Sequence, residues 1–280
     1  MFHQIITALA FPIVKLGVNE IDPLTYAFLR FSLSSIIYIP ILLTLRHRKK
    51  KIPRRDHIRI FIIGLLLIIL NQAIFIFGQS MTSAGHSSLL FATLPIYVYI
   101  LAIIFLNEKA TARRTVGIIV AAAGVYLILS GGDIKFGSEY LLGDMLVLIA
   151  VVAWAVATIM VKPLALEYGA FRVTGLALVY GSIVYAPYGL HRALECDFSG
   201  VTWVGWASLA YLAVVISILA YFLWYWVLKY MEASRLAVIQ NIQPVIASGV
   251  AAVVLSETIS GGFIIGGIII ITGVILTQIK

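Results

Sequence analysis

Charged side chains make up only 11% of the 280 residues, against roughly a quarter in an ordinary soluble domain. With 62% hydrophobic residues beside so little charge, the chain reads as an integral membrane protein with no room for a soluble domain. Cysteine is nearly missing. Cys196 stands alone, which excludes an intramolecular disulfide and a cysteine-rich metal site. There is no glycine-rich ATP-binding loop, no HExxH and no paired-acid motif, and the five histidines (3, 47, 57, 86 and 191) are scattered. The pattern argues against an ATP-driven machine, for which any driving force must instead be a gradient or exchange, and against an enzyme built on clustered acids, histidines or a metal.

Apolar blocks of about 20 residues, the length a bilayer span requires, recur along the whole chain. Their spacing predicts ten helices, at 2–18, 24–45, 58–79, 86–106, 114–130, 142–162, 171–190, 203–229, 235–256 and 262–279. The first apolar run follows no basic segment, so it is expected to stay as a helix, not to be cleaved as a leader. The joint RHRKKKIPRRDHIR, 46–59, holds eight Lys or Arg. Placing it in the cytoplasm and alternating sides puts sixteen basic residues inside and two, Lys135 and Arg192, outside, with Lys15 and Arg30 within helices. That bias predicts a multi-pass membrane protein with both termini cytoplasmic. The net charge of +8 is therefore read as topology and contact with anionic lipid, with no nucleic-acid partner.

The chain repeats itself. At an offset of 149 residues Pro95 falls on Pro244, Glu108 on Glu257, Gly117 on Gly266 and Gly124 on Gly273; at 147, Lys15 falls on Lys162. The expected organisation is two five-helix halves, 1–130 and 131–280. Because five is odd, the second half enters the membrane inverted, an architecture that can rock around a site at the midplane.

Several stretches stand in order along both halves: LTYAFLRF around Arg30, FLNEK at Glu108 with VLSET at Glu257, VGIIVAAAGVYLI at 116–128 and LLGDMLVLIAVVAWA at 141–155. Together they resemble the paired EamA domains of the drug/metabolite transporter superfamily. One departure lies in the first helix, where the tryptophan-glycine-small pattern usual in the family reads Thr7, Ala8, Leu9. The resemblance implies an all-α permease with a central cavity walled by the first, third, fourth, sixth, eighth and ninth helices, the fifth and tenth packing peripherally. It also implies a secondary transporter exporting small organic metabolites, most plausibly amino acids or related compounds, across a bacterial inner membrane. A multidrug or nucleotide-sugar carrier of the same superfamily is the alternative, and a membrane enzyme is the reading from another class. The partners are then a small-molecule solute and membrane lipid, with no cofactor, the chain acting as a monomer or homodimer.

Helical spacing selects faces within these walls. Gln72, Phe75 and Gln79 share one side of the third helix, and their repeat partners are Tyr221, Trp224 and Leu228. Thr7, Phe11 and Lys15 share a side of the first, answered by Trp154, Thr158 and Lys162. Glutamines facing lipid would be costly, so these faces point inward, and Tyr and Trp suit an amphipathic solute as well as plain aromatic packing. In IQNIQPV, 239–245, Gln240 and Gln243 share a side next to the helix-breaking Pro244. The partner stretch LFATLPI keeps Pro95 but puts Phe91 where Gln240 stands. The amides can contact solute or glue helices together. His86, near the outer end, can titrate near neutrality. Glu108 and Glu257, at helix exits on opposite sides, either anchor helix ends or gate the cavity together with Lys15, Lys162, Pro95 and Pro244. Arg30, deeper, is expected to pair with a carbonyl or carboxylate, and Asp144 to sit in the first turn of the sixth helix. Gly117, Ala121 and Gly124, and Gly262 with Gly266, form small-residue faces suited to close packing within the chain or between two copies.

Overall fold

At membrane depth every backbone amide must be bonded within the protein, so the apolar blocks become helices. The computed structural model describes residues 2–46, 50–82, 87, 90–130, 140–243, 246 and 261–279. In chain order these give α1 (Phe2–Ala8, resuming at Ala10–Val18 after a break at Leu9), α2 (Pro23–Arg46), α3 (Arg54–Ser80), α4 (Leu94–Leu106, preceded by a helical turn from Leu90) and α5 (Ala112–Ser130). Then follow α6 (Leu141–Tyr168), α7 (Ala170–Glu195), α8 (Trp203–Val227), α9 (Ala233–Ile239, continued by a 3₁₀ turn over Gln240–Ile242) and α10 (Gly261–Gln278). Among the described residues five of these, α2, α3, α6, α7 and α8, are long and apolar enough to cross a membrane unbroken. Asp144 lies in the first turn of α6, as its sequence context predicts, and accepts a hydrogen bond from the Thr82 hydroxyl at 2.6 Å.

The helices depart from regularity where the cavity forms. Pro95 brings no amide to the ladder, and the backbone before it tightens into three-residue turns, Thr93 N–H to Leu90 O and Ile96 N–H to Thr93 O. The 3₁₀ turn at Gln240–Ile242 occupies the equivalent place in the second half. In α3 and α8 the wider π-helix runs over Leu66–Ala73 and Tyr211–Ala220, a form that concentrates at functional sites. Hydroxyls of α2 bind the widened turns of α8: Ser34 donates to Ala213 O at 3.0 Å and Tyr38 to Ile218 O at 3.3 Å.

α6 runs through the interior against α3, α4, α7 and α8, and its buried alanines at 150, 153, 155, 157 and 165 allow that density. Large apolar side chains such as Ile104, Phe105, Ile119, Ile183 and Ile268 face outward, as a lipid-facing surface requires. α5 and α10 lie against each other to one side of the remaining helices. Here the small-residue faces meet within one chain: a Cβ on Gly124 would stand 2.8 Å from Gly266 O, and one on Gly273 would stand 2.5 Å from Ala121 N. Backbone, which cannot yield as a side chain can, is the obstacle at both. Gly124→Leu is expected to cost about 1–3 kcal/mol or more through overpacking, while Val116→Leu on the exposed side of α5 costs little. Thermal unfolding of the two purified variants in detergent checks the difference.

Candidate functional site

Ion pairs and hydrogen bonds sort the loops into two ends. At one end lie the basic joints: Lys50 pairs with Glu167, Arg172 donates to Lys50 O, and Tyr168 donates to Asp56. Arg114 pairs with Glu232 there, and Arg235 reaches the carbonyl of Gln278. Glu20 with Thr202 and Asp22 with Arg192 mark the other end.

Glu108 organises the basic end. Asn107 ends α4 in the left-handed conformation (φ 56°), which asparagine tolerates better than most residues. The amides of Asn107 and Glu108 both turn back to Ala102 O, and this closure directs the Glu108 carboxylate at the start of α9. It accepts from Ala233 N–H at 2.6 Å, from the Ser234 hydroxyl at 2.6 Å and from Lys162 Nζ at 3.0 Å, and Lys162 also donates to Met231 O. One carboxylate thus ties together the ends of α4, α6 and α9. Burial by itself would raise the Glu108 carboxyl, but the bonds from Ser234, Ala233 and Lys162 outweigh it and hold it below its ordinary value of 4.5.

Above this lock the interior opens into a cavity of about 110 Å³, room for several waters or a small solute. Its wall takes Thr7, Ala10 and Val14 from α1, Arg30 from α2, Gln72 and Phe75 from α3, and Phe91 from the turn before α4. The opposite side takes Trp154 from α6, Leu212, Ile216 and Tyr221 from α8, and Gln240 and Gln243 at the end of α9. Phe75 meets Phe91 edge-on at 5.0 Å, and Trp154 meets Tyr221 edge-on at 5.1 Å.

Several side chains chosen by helical spacing therefore share this wall: Thr7, Gln72, Phe75, Phe91, Trp154, Tyr221, Gln240 and Gln243. Three others stand elsewhere. Thr158 and Trp224 lie one turn nearer the basic end than Trp154 and Tyr221, where Trp224 packs on His3 and Trp154 and forms a floor beneath the cavity. Gln79 is one turn beyond Phe75 towards the other end, and does not line the cavity. Pro95 is buried in the first turn of α4. His86, Pro244 and Glu257, and the side chains of Phe11 and Lys15, lie outside the described residues.

Gln243 donates to Thr7 Oγ1 at 2.7 Å and to Gln4 Oε1 at 3.0 Å, so this amide joins α9 to α1 while facing the cavity. Gln240 lines the same wall without a side-chain hydrogen bond among the described residues.

Arg30 was expected to find a carbonyl or a carboxylate; it finds the amide carbonyl of Gln72, to which Nη1 donates at 2.8 Å, and the Ser217 hydroxyl, to which Nε donates at 2.9 Å. Ser217 in turn donates to Leu212 O in the π-helical segment, five residues back. Since a guanidinium only donates, Gln72 must present its oxygen to Arg30 and its nitrogen to Asn71, whose own amide is held by Ala150 O at 2.8 Å. The sequence carried one signal for this, a charge within a span, but not the side of α2 that faces the cavity.

A larger groove of about 700 Å³ between α4 and α6 has, among the described residues, Arg59 as its one charged lining residue and otherwise apolar walls. It suits lipid better than a polar solute.

A helical bundle with lipid-facing apolar sides, broken helices and an interior cavity of aromatic walls with a few polar groups defines a membrane protein that handles a small molecule. The chain belongs to the EamA-like transporter family, whose model matches residues 1–130 and again 141–279. It is 27% identical to "Uncharacterized transporter YetK" of Bacillus subtilis (strain 168), over 95% of this chain and 81% of that one. An "Uncharacterized transporter" of Archaeoglobus fulgidus is 29% identical over 99% and 95% of the two chains. A "Probable terminal-alkyne amino-acid exporter" of Streptantibioticus cattleyicolor is 29% identical over 96% and 88%. One crystal structure shares the fold with a TM-score of 0.79 at 16% identity, over 99% of this chain and 94% of the other.

The lock at Glu108 has a definite pH signature. Its carboxyl is lowered in the folded state, so the stability it supplies is fully present above about pH 4.5 and is lost as pH falls through the lowered value. The thermal unfolding midpoint of the wild type should drop over that acid range, and Glu108→Gln should start lower at neutral pH and show a flatter profile. Breaking a buried pair in this way costs about 3–5 kcal/mol.

Proposed function

We propose that this chain is a secondary transporter, not an enzyme, that exports small organic metabolites, foremost amino acids or close relatives, across the inner membrane. It works by alternating access between two inverted five-helix halves, 1–130 and 131–280, with both termini in the cytoplasm. The observation that carries the reading is the cavity itself, walled by α1 to α4 from one half and α6, α8 and α9 from the other. The name of the Streptantibioticus cattleyicolor relative supports the solute class, and the cluster of basic joints supports the orientation.

In this arrangement the cytoplasmic side is shut twice, by the floor at Trp224 and by the Glu108–Lys162 lock. Release of α9 from Glu108 opens that side. By the repeat offsets Glu257 and Lys15 are the counterparts of Glu108 and Lys162. The breaks at Thr93 and Gln240–Ile242 let the cavity ends of α4 and α9 bend without moving their outer turns.

Uptake and efflux of a radiolabelled amino-acid panel in proteoliposomes, with and without a proton gradient, tests the function; no movement of any member overturns it. The two amides separate in the same assay. Gln240→Leu is expected to lower transport about tenfold or more, the size of one lost hydrogen bond to a charged group, with an unchanged unfolding midpoint. Gln243→Leu lowers the midpoint as well, because it cuts the tie to Thr7 and Gln4.

A further inference from the structure

Arg30 is 2% exposed and lies seven residues into α2, about 10 Å by the helical rise and so well inside a hydrocarbon core roughly 30 Å thick. A charge there costs several kcal/mol unless compensated, and arginine keeps its charge. Its two hydrogen bonds go to neutral groups. Among the described residues no carboxylate reaches it: Asp22 pairs with Arg192, Glu108 with Lys162 and Asp144 with Thr82, all near helix ends. The third nitrogen, Nη2, is buried without a partner. Two more buried donors on the same wall complete no hydrogen bond, Trp154 Nε1 and the Tyr221 hydroxyl; the latter lies within electrostatic reach of the guanidinium. Unpaired buried donors at a cavity call for an acceptor.

We propose that the cavity binds its solute by a carboxylate, with Arg30 as the counter-ion inside the membrane and Tyr221 and Trp154 as supporting donors. This deepens, and rests on, the transport reading. Nε and Nη1 are already committed to Ser217 and Gln72, which leaves one open donor nitrogen and one positive charge, a match for a monocarboxylate rather than for a phosphate of charge near −2. No acid among the described residues lines the cavity. A purely cationic drug would therefore meet an uncompensated like charge, and an amino acid's ammonium falls to neutral acceptors such as the Gln240 amide. The Gln72 amide orients the guanidinium and is a positioning residue.

The test compares, in proteoliposomes and by thermal unfolding in detergent, each L-amino acid of the panel with its carboxamide and with O-phosphoethanolamine. Wild-type protein is expected to move at least one amino acid about tenfold or more faster than its amide, the factor that one charged hydrogen bond supplies. Arg30→Gln should erase the preference. Gln72→Glu supplies an internal carboxylate to Arg30, so it should erase the preference while raising the unfolding midpoint, and it serves where Arg30→Gln does not fold. If amides move as fast as amino acids, or the preference survives in Gln72→Glu, the carboxylate site is refuted while the transport function stands; preferential binding of O-phosphoethanolamine, which has a phosphate and no carboxylate, refutes it in favour of phosphate. If nothing moves but an amino acid raises the wild-type midpoint and its amide does not, the site stands and the transport function falls. If neither movement nor stabilisation occurs, both fall.

Discussion

A hydrogen-bonding group placed at membrane depth has no water to fall back on, and nearly every irregular feature of this protein answers that constraint. Where α8 widens into a π-helix, its carbonyls are taken by hydroxyls from Ser34, Tyr38 and Ser217. Where α4 is broken before Pro95, short turns reclose the backbone. Asn71, Gln72, Ser217 and Arg30 form one chain of donors and acceptors from Ala150 to the cavity wall. Such a network is valuable only when complete, and the members left over are those that face the cavity.

The same economy separates the peripheral helix pair from the helices that wall the cavity. α5 and α10 meet through glycine and alanine, with backbone against backbone, and contribute nothing to the cavity wall among the described residues. The cavity helices are instead held at their ends by ion pairs and caps that can exchange partners. Glu108 is the clearest case, because its carboxylate binds a lysine, a serine and a helix start at once. Without that one group α4 would lose its hold on Lys162 and on the start of α9, while Lys162 would keep its bond to Met231 O.

In the proposed binding mode, polar and aromatic walls would select in different ways. The edge-on pairs Phe75–Phe91 and Trp154–Tyr221 give broad apolar surface, which would accept many solute side chains for a modest gain per contact. Gln240, Gln243 and Arg30 would set orientation, since a donor or acceptor left unpaired costs more than a misplaced methyl group.

Composition and periodicity were enough to predict a helical membrane protein and the polar lines at Gln72 and Gln240, because bilayer thickness and helical pitch act on local sequence, and the sequence motifs carried the resemblance to the family. They also picked out Glu108 and Lys162 as charges at helix exits, without showing that the two meet. Spacing names the residues that share a side of one helix, but not which side its neighbours cover or at what height they meet it. So Thr158 and Trp224 became floor, Gln79 fell one turn beyond the wall, and Arg30 turned out to face the cavity. The π-helical segments added to this, since over Leu66–Ala73 and Tyr211–Ala220 the 3.6-residue count no longer holds. Whether the small-residue faces of α5 and α10 pack within one chain or between two was equally open until the backbones were seen in contact. Contacts between segments far apart in the chain depend on how whole helices tilt and slide against one another, and no local pattern of residues records that.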